Sequence, residues 1–298
     1  MTLFTQQATK HYAEQPWFVL NAASGFTLCP SAHPAVSHYY SFMVDINVEA
    51  TYAVPDGCVD LIFDTNEESA SAAICGTTLE ASDALFKPEH RYFGVRFKLG
   101  MLPEFLNVRA NEVINQTIDL GDTTITAHAL IETMASCPSF AKRVEFFETI
   151  LSKAASFEPS ALTQFSLQQL IQHQGNMRME SLEQLTGYSL RTIQRQFKQD
   201  IGLPPKVFGR IIRCQAALHS LHKLNGVSYS DLAFSLGFSD QPHFLREFKK
   251  LVSTTPLAYQ DTIRASGYND KISLVANISQ DNKGSIPTSK NFHQDDKS

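Results

Sequence analysis

The chain has 298 residues, 43% of them hydrophobic and 18% charged, which is enough to bury full-sized cores in two domains. Its formal charge of −5 neither selects nor excludes a nucleic-acid partner by itself. No run of about 18 apolar residues is present, which excludes a membrane-spanning helix. No basic cluster precedes an apolar run near Met1, so no secretory signal is expected. The five cysteines (Cys29, Cys58, Cys75, Cys137 and Cys214) lack C-x-x-C spacing. They fit reduced thiols in a cytoplasmic protein better than a disulfide framework or a zinc site.

From Thr2 to about Asn115, short apolar runs are separated by Gly, Pro, Asp and Asn. Phe42–Val48 alternates, Val59–Phe63 is a continuous strand-like run, and Ala72–Cys75 and Tyr92–Phe97 follow the same habit. Turn signals stand at Pro55-Asp56-Gly57, Asp64-Thr65-Asn66 and Gly100. Many short strands with turns predict an antiparallel sandwich or small barrel. From Asp119 to about Ser156 the spacing of Ile125, Leu130, Ile131, Met134, Val144, Phe147, Ile150 and Leu151 predicts two helices. Ala154–Ser160 (AASFEPS) reads as the linker to the remainder.

Met179–Phe208 then carries a helix-turn-helix pattern. Leu182 opens a short helix, Gly187 supplies the turn, and Ser189 N-caps a second helix whose inward stripe is Leu190, Ile193 and Phe197. At 100° per residue, Arg191, Gln194, Arg195 and Lys198 cluster on its opposite face. About 50 residues later the pattern returns within Val227–Tyr259, with Leu232, Ala233 and Gly237 in the corresponding places. Ser239 or Asp240 caps the next helix, and Phe244, Phe248 and Leu251 face inward. Gln241, His243, Arg246, Lys249 and Lys250 are left for its other faces, an arrangement suited to a major groove. Between the copies, Pro205 to about Leu221 reads as one amphipathic helix with Val207, Ile211, Ala217 and Leu218 apolar and Arg210 and Arg213 charged.

Charge divides along the same lines. Arg178–Arg264 carries 12 Lys/Arg against 7 Asp/Glu, a net of +5. The residues before it carry 9 against 19, a net of −10, and those after it 4 against 4. Positive charge is thus concentrated on the segment that holds the helix-turn-helix patterns, as phosphate contact requires.

On LEQLTGYSLRTIQRQFK, the RIIRCQAAL connector, and LAFSLGFSDQPHFLREFKK with its trailing Pro256 and Tyr259, the region from about Leu167 to Arg264 resembles the DNA-binding domain of the AraC/XylS family of bacterial transcription regulators. The resemblance implies DNA contacts from Arg191, Gln194, Arg195 and Lys198 in the first motif. In the second it implies Gln241, His243 and Arg246, and we add Lys249 beside them. The chain departs from the pattern at Glu183, where a small residue is usual, at Ser253, where Gly is usual, and at Pro242, where a polar contact is common.

VPDGCVDLIFD (Val54–Asp64) and YFGVRFKLG (Tyr92–Gly100) resemble a cupin-like N-terminal domain that accompanies such regulators. This implies a small barrel that receives an effector, with Cys58, Asp60, Arg96 and Phe97 as candidate ligand-binding residues. A purely structural reading stands beside it, in which Asp56-Gly57 is a turn, Cys58 a small buried residue, and Arg96 a partner for a nearby carboxylate. His33, His38 and His90 lack the His-x-His spacing of metal-dependent cupins, and no G-x-S-x-G elbow or phosphate loop occurs. No catalytic residue, metal or cofactor is therefore expected.

The expected fold is two-domain α+β. An N-terminal cupin-like barrel (about 1–115) with following helices (about 119–156) forms a sensor and dimerisation domain at 1–156. An all-α domain at 160–264 holds two helix-turn-helix motifs joined by a long helix, and 265–298 is a polar tail without fixed structure, apart from one short helix around Ile272, Leu274, Val275 and Ile278. The expected partners are promoter DNA, a small-molecule effector, a second copy of the chain and, for an activator, RNA polymerase, with no membrane. Two rivals remain: an N-terminal domain that binds another protein, and an enzyme fused to a DNA-binding module.

Overall fold

A computed structural model of the chain describes residues 14–48, 50–223 and 228–276. Residues 1–13 of the expected sensor domain, Val227, and the tail from 277 onward, including Ile278, lie outside the described residues.

A short helix α1 (Pro16–Leu20) leads into strands β1 (Ala22–Pro30), β2 (Val36–Val44), β3 (Thr51–Ala53), β4 (Asp60–Asp64), β5 (Ser71–Cys75), β6 (Ser82–Ala84), β7 (Arg91–Phe97), β8 (Leu102–Pro103) and β9 (Thr117–Asp119). Helices α2 (Ala127–Ser136) and α3 (Phe140–Leu151) follow, then a two-residue strand β10 (Ser156–Phe157). Seven strands form one sheet in the order β11-β1-β2-β7-β4-β5-β9, where β11 is Ile272–Leu274 near the far end of the chain. All neighbours in it are antiparallel except β1 and β11.

The sheet is covered on both faces, which explains why β4 reads as a continuous apolar run broken only by aspartates. Leu61 and Phe63 of β4, with Tyr39, Ile74, Phe93, Val95 and Phe97, pack on Met134 of α2 and on Val144, Phe147 and Leu151 of α3. The opposite face presents Phe26, Tyr40, Phe42, Ile62 and Tyr92 to Phe18 and Val19 of α1. The pairing order ends at β9 and β11, so the β3–β6 ladder and the segment around residues 76–87 wall in this second face.

The remaining helices are α4 (Ala161–Gln172), α5 (Met179–Thr186), α6 (Leu190–Ile201), α7 (Pro205–Lys223), α8 (Tyr229–Ser235), α9 (Gln241–Val252) and α10 (Pro256–Ala265). Helix α7 is common to two cores. Phe208 and Ile212 near its start join α4, α5 and α6, while Cys214, Ala217, Leu218 and Leu221 join α8, α9 and α10. Its 19 residues span about 28 Å at about 1.5 Å each.

Local chemistry sets the helix ends. Ser189 Oγ accepts the Thr192 N–H at the start of α6, and Asp240, rather than Ser239, accepts the His243 N–H at the start of α9. Gly187 and Gly237 adopt φ of +71° and +74°. The unusual Glu183 has a use: its Oε1 accepts the backbone N–H of Leu190 at 3.2 Å, satisfying an otherwise unpaired donor in the first turn of α6. Ser253 takes the left-handed conformation of the glycine it replaces, with φ +68°.

Two expectations change. The linker at 154–160 is an ordered connection: β10 pairs with β8, and Ser160 donates its N–H and hydroxyl to buried Asp200 of α6 at 3.0 and 2.7 Å. The start of the expected tail is also ordered, and as a strand instead of a helix. Phe26, Thr27 and Leu28 pair with Ile272, Ser273 and Leu274, and Tyr268 is buried under β1. Free edge groups on β1 favour extension of the sheet over one isolated helical turn.

The left-handed Ser253 gives a direct test. Ser253→Gly is expected to stabilise the chain by about 0.5–1 kcal/mol, because glycine carries no Cβ penalty at positive φ. A raised thermal unfolding midpoint without altered far-ultraviolet circular dichroism checks it.

Candidate nucleic-acid interface and sensor cavity

Helix α6 buries Ile193 and Phe197 and leaves Arg191, Gln194, Arg195 and Lys198 exposed together on its outer face. Helix α9 buries Phe244, Phe248 and Leu251 and exposes Arg246 and Lys249. Gln241 and His243 are half-buried in its first turn. The His243 ring meets Phe238 edge-on with centroids 5.4 Å apart, and its Nδ1 lies 3.2 Å from Ser239 Oγ. Pro242 is an exposed first-turn residue, where the absent N–H costs nothing.

The two connector arginines are engaged internally. Arg210 pairs with Glu247 of α9, and the Arg213 guanidinium lies over the Phe238 ring at 5.1 Å. These contacts fix α9 against α7. Lys250 is also engaged: its ammonium pairs with Glu80 at 2.6 Å, and its carbonyl accepts the Ala81 N–H at 3.2 Å. Sequence periodicity gave no hint of this contact, because Glu80 belongs to the N-terminal domain. On α6, Arg195, Lys198 and Gln199 share a surface depression with Arg109, Asn111 and Glu112.

The second face of the sheet walls a cavity of about 580 Å³. Asp60, Ile62 and Asp64 of β4 and Ser71, Ala73 and Cys75 of β5 line it on one side, as alternation along each strand requires. Phe18, Phe86 and Tyr92 supply an aromatic wall, with Phe86 4.6 Å from Tyr92 and 5.0 Å from Phe18 between ring centroids. Residues 76–86, which hold Glu80 and Ala81 against α9, form the lip.

At the floor of this cavity lies a buried ion cluster. Arg96 grips Asp60 with two bonds, Nε–Oδ1 at 3.0 Å and Nη2–Oδ2 at 2.7 Å, and its Nη1 lies 2.8 Å from Asp56 Oδ2. All three residues are at most 6% exposed. Asp56 also accepts the Cys58 N–H and the Gln15 amide, each at 2.8 Å, and Tyr40 donates to Asp60 Oδ1 at 3.2 Å. The Tyr40 ring reaches this position only because Gly94 lies beneath it; a Cβ there would come within 2.0 Å of the ring.

The cluster divides the cavity from a second one of about 400 Å³, lined by Arg96, His38, Tyr40, Tyr268 and, from α7, His219 and His222. Burial pushes the Asp60 carboxyl above the ordinary carboxylate range, against the opposing pull of Arg96. Burial, assisted by Arg96, pushes His38 down to about 3, so it is neutral. The Cys58 thiol is driven up by burial and stays protonated.

Of the four candidate ligand residues, Cys58 and Asp60 line the larger cavity. Arg96 sits behind it as the partner of two carboxylates. Phe97 does not belong: one residue on from Arg96 in β7, it faces the α2–α3 core and is fully buried. The sequence reading missed Asp56 and Gln15 as members of the cluster, and the strand neighbours Asp64 and Cys75 as lining residues. The i, i+4 spacing of Asp60 and Asp64 on β4 could have identified Asp64. Among the described residues, no group of three or more His, Cys, Asp and Glu is placed to hold a metal ion. His90 instead pairs with Asp64 at 2.7 Å. All five cysteines are free, and no described helix is long and apolar enough to cross a membrane.

The same turn connects the cluster to the helices. Gln15 donates to the Val54 carbonyl at 2.6 Å, Gln215 of α7 donates to the Pro55 carbonyl at 2.9 Å, and Val54 itself is buried in the α7–α10 core. Glu14 lies 2.6 Å from His222 and 3.2 Å from His219, and the Trp17 indole donates to the carbonyl of Val252 at the end of α9.

A family described as a helix-turn-helix domain matches residues 182–262, and a domain of unknown function, DUF6597, matches residues 29–119. Over 86 residues the chain is 40% identical to the protein YkgA of Escherichia coli (strain K12), an alignment covering 28% of this chain and 34% of that one. Over 68 residues it is 38% identical to the HTH-type transcriptional activator RhaS of Escherichia coli O9:H4 (strain HS), covering 23% and 24%. The chain thus spans about a third of one of these relatives and about a quarter of the other. Among solved structures, ToxT from Vibrio cholerae O395 aligns over 80% of this chain and 99% of its own, at 12% identity and a TM-score of 0.39.

The raised Asp60 carboxyl sets a pH dependence. From about pH 4, the ordinary Asp value, up to its higher folded value, the folded chain keeps a proton that the unfolded chain has released. Stability from this group therefore falls as pH rises through that window. Asp60→Asn removes it, so wild-type stability relative to the variant is expected to decline with rising pH. Urea unfolding of both proteins at a series of pH values checks the sign.

Proposed function

We propose that this chain, a member of the AraC/XylS family by its C-terminal helix-turn-helix domain, is a one-component transcription regulator. In it the sensor domain receives a small-molecule signal and residues 160–264 bind promoter DNA. The observation that carries the reading is the pair of similar helices, α6 and α9, each anchored by buried aromatics and each exposing cations outward. Helix α7, about 28 Å long, sits between them at a length comparable to the roughly 34 Å between successive major grooves on one face of B-DNA. Arg191, Gln194 and Arg246 are the proposed base readers, with Arg195, Lys198 and Lys249 on phosphates. Gln241 and His243 sit in the first turn of α9, and His243 would have to leave Ser239 to reach a base.

Signal transfer follows from the contacts. The lip of the larger cavity is bonded to Lys250 at the end of α9, and the Asp56 turn is bonded to α7. A ligand that moves the lip shifts α9, and one that moves the turn shifts the helix that joins α6 to the second motif. The reading has no catalytic residue, metal or cofactor. The DNA-binding role places the protein in the cytoplasm, and a second copy and RNA polymerase are further proposed partners. A sensor domain that binds another polypeptide remains the second reading; the walled 580 Å³ cavity favours a small molecule, whose pockets are typically about 300–1,000 Å³.

The test is binding of the purified chain to the promoter fragment beside its own gene, against scrambled DNA, across a salt series. Arg246→Ala is expected to weaken specific binding by about 1–3 kcal/mol and to relax sequence preference. Lys198→Ala is expected to weaken binding to all sequences alike and to reduce the salt slope by about 1. Equal loss on specific and scrambled DNA for Arg246→Ala would reject its base-reading role.

A further inference from the structure

The larger cavity is electrically lopsided. Its lining includes five carboxylates, Asp56, Asp60, Asp64, Glu80 and Asp83, and one lysine, Lys87. Arg96 stands behind Asp56 and Asp60, and Lys250 pairs with Glu80 from outside. Counting these three cations against the five acids leaves −2 among the Lys, Arg, Asp and Glu of the described residues at this site. The imbalance is sharpest at the floor, where two buried carboxylates share one guanidinium. Asp56 accepts three bonds, from Arg96, Gln15 and the Cys58 N–H, and Asp60 also accepts three, two from Arg96 and one from Tyr40. Asp60 Oδ2 accepts one bond, from Arg96, and keeps acceptor capacity toward the cavity. A cleft with low-dielectric walls lined by one sign of charge concentrates the opposite sign.

The walls supply the other half of the recognition. Phe18, Phe86 and Tyr92 form a contiguous aromatic surface, and Ile62, Ala73 and Ala84 extend it. An aromatic face attracts a cation as well as an apolar body. Thr78 adds a buried hydroxyl oxygen with no hydrogen-bond partner among the described residues. An anionic ligand on Asp60 would meet a carboxylate, and the lysine of the lining, Lys87, is exposed to solvent. A neutral one would leave the floor charge uncompensated.

The geometry points to an organic monocation, a primary ammonium on an apolar or aromatic body, as the effector of this cavity, with the ammonium on Asp60 and the body against Phe18, Phe86 and Tyr92. This rests on the reading of the cavity as the sensor site and names the chemistry that site selects.

Three molecules of nearly equal shape separate charge from fit: 2-phenylethylammonium, 2-phenylethanol and 3-phenylpropanoate. Each is titrated calorimetrically into the full-length chain near pH 7. The ammonium is expected to bind at least about tenfold more tightly than either analogue. Asp60→Asn, in which Asp56 remains to hold Arg96, is expected to remove most of the preference for the ammonium over the alcohol. Binding of the alcohol or the carboxylate as tightly as the ammonium overturns the charge assignment and leaves the sensor reading intact. Absence of binding by all three overturns the assignment of a monoamine. A parallel measurement of DNA binding with a metabolite extract then separates the two ideas. An extract that still shifts DNA binding preserves the sensor reading, whereas an inert one removes it as well.

Discussion

The contact on which the rest of the molecule depends is the grip of Arg96 on Asp56 and Asp60. Guanidinium is suited to it because its planar fork binds one carboxylate with two parallel bonds and still has a donor for another. Taking three charges out of water is expensive, and the cluster persists because most of its lone pairs and N–H groups have partners. Its value lies in position. Asp60 belongs to the sheet, Asp56 to the turn that follows Val54, and the same turn is bonded to Gln15 ahead of α1 and to Gln215 on α7. One buried cation therefore aligns the N-terminal segment, the sheet and the helix shared by both C-terminal cores. Loss of the guanidinium would leave two buried carboxylates without their shared cation, and the turn without its link to the sheet.

The helical domain is tied to the sheet at both of its ends. Before it, β10 pairs with β8, and Ser160 is bonded to Asp200 of α6. After it, the chain returns to add β11 to the sheet edge, and the Lys271 ammonium is held by the carbonyls of Leu20 and Ala22. A domain held at two points can rotate or shift as a body, but it cannot swing free on a linker. On the proposed reading, a signal then acts by small displacements of α6, α7 and α9 relative to the sheet, since packed interfaces switch between discrete arrangements and do not stretch continuously.

The helix-turn-helix pair was legible from sequence because its determinants are local. Caps, left-handed turns and the 3.6-residue apolar stripe all act within about 12 residues, and Ser189, Gly187, Phe197 and Phe248 each do what their spacing implies. The departures resolved locally too: Glu183 caps the next helix, and Ser253 adopts the glycine conformation. The proposed sensor site was only half legible. Asp60 and Arg96 stood out as charges within strand-like runs, but their pairing is across strands and depends on register, which a single sequence does not state. Phe97 was misassigned for the same reason, since one step along a strand reverses the face. Non-local features left no signal at all. The contact of Glu80 with Lys250, and the pairing of Ile272–Leu274 with β1, join positions far apart in the chain.

The unequal division of charge now has a spatial meaning. An acidic N-terminal domain and a basic helical domain in one chain attract each other, and on the proposed reading some of the same cations face phosphate. Glu80 already holds Lys250, and Glu112 shares a depression with Arg195 and Lys198 on the outer side of α6. The N-terminal domain thus binds a basic side chain of α9 and lies beside those of α6, and on the proposed reading it competes there with DNA. At exposed positions each such contact is worth little, on the order of 1 kcal/mol or less, and is screened by salt. On the proposed reading, that weakness suits a regulator. Strong contacts between the domains would withhold the helices from DNA permanently, whereas weak ones bias an equilibrium that a ligand at the cavity lip, a few residues from Glu80, is placed to shift.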